Sequence, residues 1–327
     1  MRPPDALREA VRSRVASPAP DAGAREAAHA IEDRGGAATR AILFFGSRKT
    51  QARPDAWSAY DFFVIVERYR PFYDALRAHG ALRRPSGLVA ALNGPLPPNQ
   101  IGLTLGAPGE RTARAKCAVV SAAAFARETS PQRRDHFFLG RLCQQTEVVF
   151  AADEASRERV VEALASAHAL TYAWVRPWLP DRFDVGTFCR TFLRVSYSAE
   201  IRPEPDGRAD ALWEAQREYL AAVYGVLLRE LHAAGDLVLH EPGTYGLARP
   251  AGRGERLRLS AYFWRSKIRA TLRWAKYVVT FDDWLEFILR KATRHSGQAF
   301  ELTPRERRFP LLFLWPRVFR YLRHKDR

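Results

Sequence analysis

Two strand-like stretches of this chain end in side chains that could manage a phosphate. The first is Ile42-Leu43-Phe44-Phe45, four apolar residues that run straight into Gly46-Ser47. Thirteen residues separate Ser47 from Asp61, which opens a second apolar run, Phe62 to Val66. A Gly-Ser turn after a strand lets backbone N–H groups approach phosphate oxygens, because glycine has no Cβ in the way. A carboxylate at the mouth of the neighbouring strand can hold a hard cation such as magnesium, which bridges phosphate oxygens and offsets developing charge. Transfer of a nucleotidyl group from a nucleoside triphosphate uses both: an acceptor attacks the α-phosphorus and pyrophosphate leaves. The same residues would also serve an ordinary tight turn beside an incidental strand-edge Asp.

The elements that must position these residues follow from pattern. Residues 24–34 are good helix formers and lead through Gly35-Gly36 into the first strand. After the second strand a helix is expected around 71–79, then a loop rich in Pro, Gly and Arg over 81–100. A short strand at Ile101–Leu105 and a further one at Ala115–Ser121 come next, with Ser121 as cap of the helix after it. From about residue 130 to 235 the periodicity is mostly helical. Residues 241–257 are rich in Gly and Pro and read as a linker.

The segment beyond it, LSAYFWRSKIRATLRWAKYVV, places Arg265, Arg269, Arg273 and Lys276 on one side of a helix. Trp264, Ile268, Leu272, Ala275 and Val279 fall on another, and Trp274 adds a further aromatic ring. A basic face beside an aromatic-bearing apolar face suits the interface of an anionic membrane, and Trp264, Arg265, Arg269, Arg273, Trp274 and Lys276 are its expected contacts. A helix packed on the rest of the protein with its Arg side in water would give the same pattern.

Charge agrees with an anionic partner: 52 Lys and Arg against 36 Asp and Glu give a formal net charge of +16 over 327 residues. An apolar fraction of 47% supports a packed core. Cys117, Cys143 and Cys189 lie far apart with no CxxC, so reduced core thiols are expected, with neither a disulfide framework nor a zinc site. The amino terminus has charges throughout and no apolar h-region, so no secretory signal is expected. No stretch reaches the roughly 20 apolar residues that span a bilayer.

The Gly46-Ser47 turn and the Asp61 strand together resemble the signature of the nucleotidyltransferase superfamily, in which the second strand begins Asp-x-Asp or Asp-x-Glu. Here Ala59 stands at the first acidic position and Asp61 at the second. Four segments in order, over about residues 40 to 235, narrow the resemblance to the mitochondrial-type phosphatidate cytidylyltransferases, the translocator assembly and maintenance family. They are the Gly-Ser turn with its single-Asp strand, Lys116-Cys117-Ala118-Val119-Val120-Ser121, Gly140-Arg141-Leu142 after Phe137-Phe138, and Ser196-Tyr197-Ser198 before Glu200-Ile201-Arg202. The His- and Tyr-rich segment that the family has after the Asp strand has no counterpart in residues 68–98.

The resemblance implies an α/β (α+β) fold: a nucleotidyltransferase-like mixed sheet with flanking helices, then a helical domain and a basic amphipathic carboxy-terminal region. The expected division is a helical segment over 1–35, a catalytic domain over 36–150, a helical domain over 151–240, the linker at 241–257 and the basic region at 258–327. It further implies an enzyme that joins CTP and phosphatidic acid into CDP-diacylglycerol and pyrophosphate, with Mg2+. In that enzyme Asp61 would bind the metal, Lys116 would neutralise a phosphate, and Gly46, Ser47, Arg48, Tyr197 and Ser198 would hold the nucleotide. Arg141 and Arg202 would meet the lipid or nucleotide phosphate. A second carboxylate, from Asp55 or Asp135, could complete the metal site. Such an enzyme would sit in the cytoplasm, peripheral on the inner face of the membrane, with no nucleic-acid partner. Two other readings stay open: a nucleotidyltransferase with another small-molecule or protein acceptor, and an inactive copy of the fold that binds nucleic acid.

Overall fold

Strands rich in Phe, Val and Ile pair into one five-stranded mixed sheet. A computed structural model describes residues 2–15, 21–50, 59–105, 113–198, 207–280, 303–308 and 313. The strands are β1 (Thr39–Phe45), β2 (Tyr60–Val66), β3 (Asn99–Leu105), β4 (Ala113–Ser121) and β5 (Glu147–Ala151), in the order β3-β4-β2-β1-β5. β2 and β4 run parallel and every other neighbouring pair is antiparallel. The protein is thus of mixed α and β structure, with helices on both faces of the sheet.

Alternation along the strands sends side chains to two apolar layers. Ile42, Phe44, Phe62, Val64, Cys117 and Val119 join helices α2 (Ala22–Gly35), α4 (Tyr69–Ala78) and α5 (Ser86–Asn93) in one layer. Leu43, Phe63, Ile65, Ala118 and Val120 face the other, which also takes Leu7 and Val11 of α1 (Asp5–Val15). In that second layer lie Phe125 of α6 (Ala122–Glu128), Val160 and Leu164 of α8 (Glu154–Ala169), Trp174 of α9 (Thr171–Val175), Phe192 of α10 (Val185–Ser198) and Leu220 of α11 (Arg208–Ala233). One core therefore unites the amino-terminal helix, the sheet and the later helices. Residues Met1–Thr280 form one compact unit and Phe281–Arg327 a second. Within the second, a short helix at Pro304–Arg308 starts with a reciprocal cap: the Glu306 N–H donates to Thr303 Oγ1 at 3.3 Å and the Thr303 N–H to Glu306 Oε2 at 2.8 Å.

Helix starts follow local chemistry. Asp21 accepts the Ala24 N–H at 2.9 Å, Ser121 the Ala124 N–H at 3.2 Å and Asp153 the Ser156 N–H at 2.6 Å. The three cysteines are buried and unpaired, and burial raises each thiol above its ordinary range. The stretch read as a linker holds structure of its own. β6 (Leu237–Glu241) and β7 (Thr244–Leu247) form a hairpin whose turn uses Gly243 at φ +82°, and Tyr245 bridges to Phe183. After it comes α12 (Arg253–Thr280), a single long helix. No described helix is long and apolar enough to cross a membrane.

Candidate active site

β1 ends where β2 begins, because the two are antiparallel, and β4 runs beside β2 in register. Phe45 pairs with Asp61, and Asp61 pairs with Lys116. Asp61 is the one half-buried position in a strand otherwise buried throughout. Gly46 follows β1 at φ +87°, and a methyl added there would fall 2.6 Å from Asp61 Oδ2. The glycine is thus required twice, by its backbone conformation and by the carboxylate against it. Lys116 Nζ stands 3.8 Å from Asp61 Oδ1. Gly46, Asp61 and Lys116 therefore share one corner of the sheet, with Ser47 starting the short helix α3 (Ser47–Thr50) beside them. The carboxylate's charge reaches Cys117, whose thiol is pushed up first by burial and then by Asp61.

Arg48 turns the other way. Its guanidinium lies 4.1 Å from the centre of the Tyr60 ring, which belongs to the layer opposite to that of Phe63 and, by alternation, of Asp61. Burial, then Asp21, raises the Tyr60 phenol, and Arg48 opposes them.

Two further segments meet on the Asp61 side of the sheet. Phe63 sets its ring edge-on to Phe137 at 6.3 Å, and the Arg141 guanidinium stacks 3.9 Å from Phe137 while donating to the Phe137 carbonyl at 2.9 Å. Gly140 of α7 (Leu139–Leu142) abuts α10, so that a methyl on it would fall 2.8 Å from Ser196 Oγ. That hydroxyl is 3.1 Å from Nε2 of buried His136, whose pKa burial lowers to about 3, so the ring is neutral. Gly140-Arg141-Leu142 and Ser196-Tyr197 are thus brought together, with Tyr197 half-buried against the same core. Arg202, Asp55 and the side chain of Ser198 lie outside the described residues.

The carboxy-terminal contacts are corrected. Arg273, 1% exposed, and Lys276, 7% exposed, face into the protein and cannot meet a membrane. Asp135 binds both Arg273 and, at 2.7 Å, Arg269 Nε, so it is engaged by arginines and supplies no second metal carboxylate. Arg273 Nε donates to the Pro97 carbonyl at 2.9 Å, and Lys276 Nζ donates to the carbonyls of Leu92, Leu96 and Pro98. The basic side points inward because a buried carboxylate and a row of loop carbonyls lie there to receive it. The apolar side is left in solvent: Leu257 is 71% and Trp264 68% exposed, with Ile268 and Leu272 also exposed, and of the expected basic side Arg265 alone stays exposed beside them. The Trp274 side chain lies outside the described residues.

Sequence reasoning passed over one pair. Lys49 in the Gly-Ser turn forms an ion pair with Glu147 of β5, which is buried opposite Phe44, and the Lys49 N–H donates to the Gly46 carbonyl at 3.0 Å. An acidic residue opening a β-branched strand, Glu147-Val148-Val149, was the available signal. Among the described residues no group of three His, Cys, Asp or Glu side chains could hold a metal ion. A single carboxylate at an open corner does fit magnesium, which keeps several waters and takes most of its protein-side ligation from one or two carboxylates and substrate phosphates. No family model and no curated protein sequence matches the chain.

Proposed function

We propose that the sheet and its Gly46/Asp61/Lys116 corner are those of a nucleotidyltransferase. More narrowly, the protein is read as a phosphatidate cytidylyltransferase of the translocator assembly and maintenance type, which makes CDP-diacylglycerol and pyrophosphate at a membrane surface. The observation that supports this most is the convergence of Gly46, Asp61 and Lys116 from three adjacent strands, with Lys116 Nζ 3.8 Å from Asp61 Oδ1.

In this reading the Gly46-Ser47 turn presents backbone N–H groups to the triphosphate, and Lys116 meets a phosphate oxygen as a point charge. Asp61 would hold magnesium, which when bound offsets charge on the triphosphate oxygens. The acceptor is a phosphate monoester whose second pKa is about 6, so it is already anionic near neutral pH. One of its oxygens forms a bond to the α-phosphorus, the bond from that phosphorus to the bridging oxygen breaks, and pyrophosphate leaves with the electron pair. Such a nucleophile needs less help from a general base than an alcohol does, which accords with Ala59 at the first acidic position. Arg141, stacked on Phe137 on the Asp61 side of the sheet, is the candidate for the lipid phosphate.

The membrane side of the proposal rests on the outward face of α12. Leu257, Trp264, Ile268 and Leu272 fall within an arc of about 80° at 3.6 residues per turn, and exposed Arg256, Arg258, Arg265 and Lys267 flank it. In this reading the protein is peripheral on the cytoplasmic face of a membrane.

Incubation with CTP, magnesium and phosphatidate-containing vesicles tests the reading. A CDP-lipid should form, and Asp61→Ala should lower its rate by a factor on the order of 100 or more, given several kcal/mol for a metal's charge stabilisation. Full activity in Asp61→Ala would remove the proposal. Sedimentation with anionic vesicles should fall in Trp264→Glu, while a variant at inward-facing Ser266 should sediment as the native protein does.

A further inference from the structure

A cavity of about 270 Å³ lies at the other end of the sheet from the Gly46 corner. Its walls are Ala41 of β1, Ile65 of β2, Phe125 and Ala126 of α6, and Val160 and Ala163 of α8. Buried Pro3 lines it from the amino terminus. Ile65 is four residues beyond Asp61 on the same face of β2, about 13 Å away at strand rise, so the cavity is separate from the candidate active site. Small side chains on both helices, Ala122, Ala126 and Ala163, leave the space between α6 and α8 unfilled.

The charges around the cavity decide what could enter it. Arg40 lines it but is paired with Glu67 at 3.0 Å and lies 4.0 Å from Asp153. Glu162 lines it and lies 3.8 Å from Arg8. Arg159 is the remaining charge on the lining: it is exposed at the rim, its Nη2 donates to Ser156 Oγ at 3.3 Å, and its charge helps to lower the Asp153 carboxyl, but no described carboxylate lies within 4 Å of it. A guanidinium at the edge of an apolar chamber matches a carboxylate, whose two oxygens accept from its planar fork. Nearby Glu162 disfavours a dianion such as a phosphate monoester.

Volume sets the size of the tail. A dry apolar cavity of about 150 Å³ accommodates benzene, six heavy atoms, so at the same ratio this one holds about eleven. We infer that this cavity binds an unbranched monocarboxylate of about eight carbons in all, its apolar tail between α6 and α8 and its carboxylate on Arg159. The inference is independent of the nucleotidyl-transfer reading, and its test needs no catalysis.

Titration of the full chain with sodium octanoate, followed by calorimetry and by ligand-observed NMR, examines it, with 1-octanol as the uncharged comparator. Octanoate should bind saturably at one site and more tightly than 1-octanol. Arg159→Gln should weaken octanoate about tenfold and leave 1-octanol unchanged. Ala163→Phe should abolish binding by filling the chamber. Ala126→Phe, at an exposed position of the mouth, should do the same should Ala163→Phe fail to fold. Absence of saturable octanoate binding overturns the site. So does native-like affinity in whichever filling variant is folded. Equal affinity for octanoate and 1-octanol, or no effect of Arg159→Gln, overturns the carboxylate assignment.

Discussion

Replacing Asp135 by Asn should destabilise this protein more than almost any other isosteric change. Both partners of the Asp135–Arg273 pair are buried, with side-chain exposures of 1% and 2%. Among the described residues Arg273 Nη1 has no hydrogen-bond partner, and apart from Asp135 the group donates only to the Pro97 carbonyl. Asn keeps the shape and removes the charge, so a guanidinium stays in the interior without its counter-ion. Breaking such a pair from one side costs about 3–5 kcal/mol. For a unit of this size each kcal/mol is worth about 2–4 °C, so the melting temperature at pH 7 should drop by roughly 10 °C. Arg269→Gln removes a partner that is 19% exposed and should cost only about 1 kcal/mol. The triple change Asp135→Leu/Arg269→Met/Arg273→Met, which removes all three charges, should recover most of the loss.

The effect has a pH signature. Burial opposes ionisation of Asp135, but Arg273, Arg269 and the Phe137 N–H outweigh it and hold the carboxyl below its ordinary value. A depressed folded-state pKa gives stability that is present above the unfolded value, about 3.9, and is lost as pH falls through the folded value. The gap between native protein and Asp135→Asn should therefore be full at pH 7 and shrink below about pH 4. Calorimetric melts across that range measure it. An Asp135→Asn protein that melts within about 2 °C of native at pH 7 would refute the reasoning, since that is under 1 kcal/mol.

Three further outcomes follow from the same geometry. Gly46→Ala should cost more than Gly80→Ala in urea unfolding: both glycines have positive φ, worth about 1–2 kcal/mol against alanine, but only at Gly46 does the new methyl meet Asp61 Oδ2, at 2.6 Å. Gly140→Ala should destabilise despite the better helix propensity of alanine, through the 2.8 Å approach to Ser196 Oγ, and Ser196→Ala in the same chain should restore part of the loss. Burial, with Arg273 and Arg269, lowers Lys276 to about 7, so the unfolded chain holds that proton up to the usual range near 10.4 while the folded one releases it. Stability should gain a contribution from this group as pH rises from about 7 to 10, and Lys276→Met should lack that rise in melts taken over the interval.

How far the sequence could be read depends on the distance between partners. Ile42 to Phe45 and Phe62 to Val66 announce their strands, and an Asp at the mouth of one beside a Gly-Ser turn after the other puts both at one end of a sheet. The strand starting near Lys116 was also legible, as was the Ser121 cap, because both depend on neighbours a few residues away. The parallel register that sets Lys116 opposite Asp61 was not, since nothing local fixes it. For α12 the helical periodicity gave two faces but not their directions. Asp135 and the carbonyls of Leu92, Leu96 and Pro98, which draw the basic side inward, lie more than a hundred residues earlier in the chain. The hairpin at 237–247 was hidden for a different reason: Gly and Pro mark a tight turn between strands as readily as a linker.

The measurement closest to the central claim is pyrophosphate release from CTP, followed as a function of phosphatidate in vesicles with the labelled lipid product isolated in parallel. Release should require phosphatidate, match CDP-diacylglycerol mole for mole, and collapse in Asp61→Ala and Lys116→Met proteins that melt as the native one does. Pyrophosphate release that ignores phosphatidate, or no turnover of CTP by folded protein on anionic vesicles, would contradict the claim.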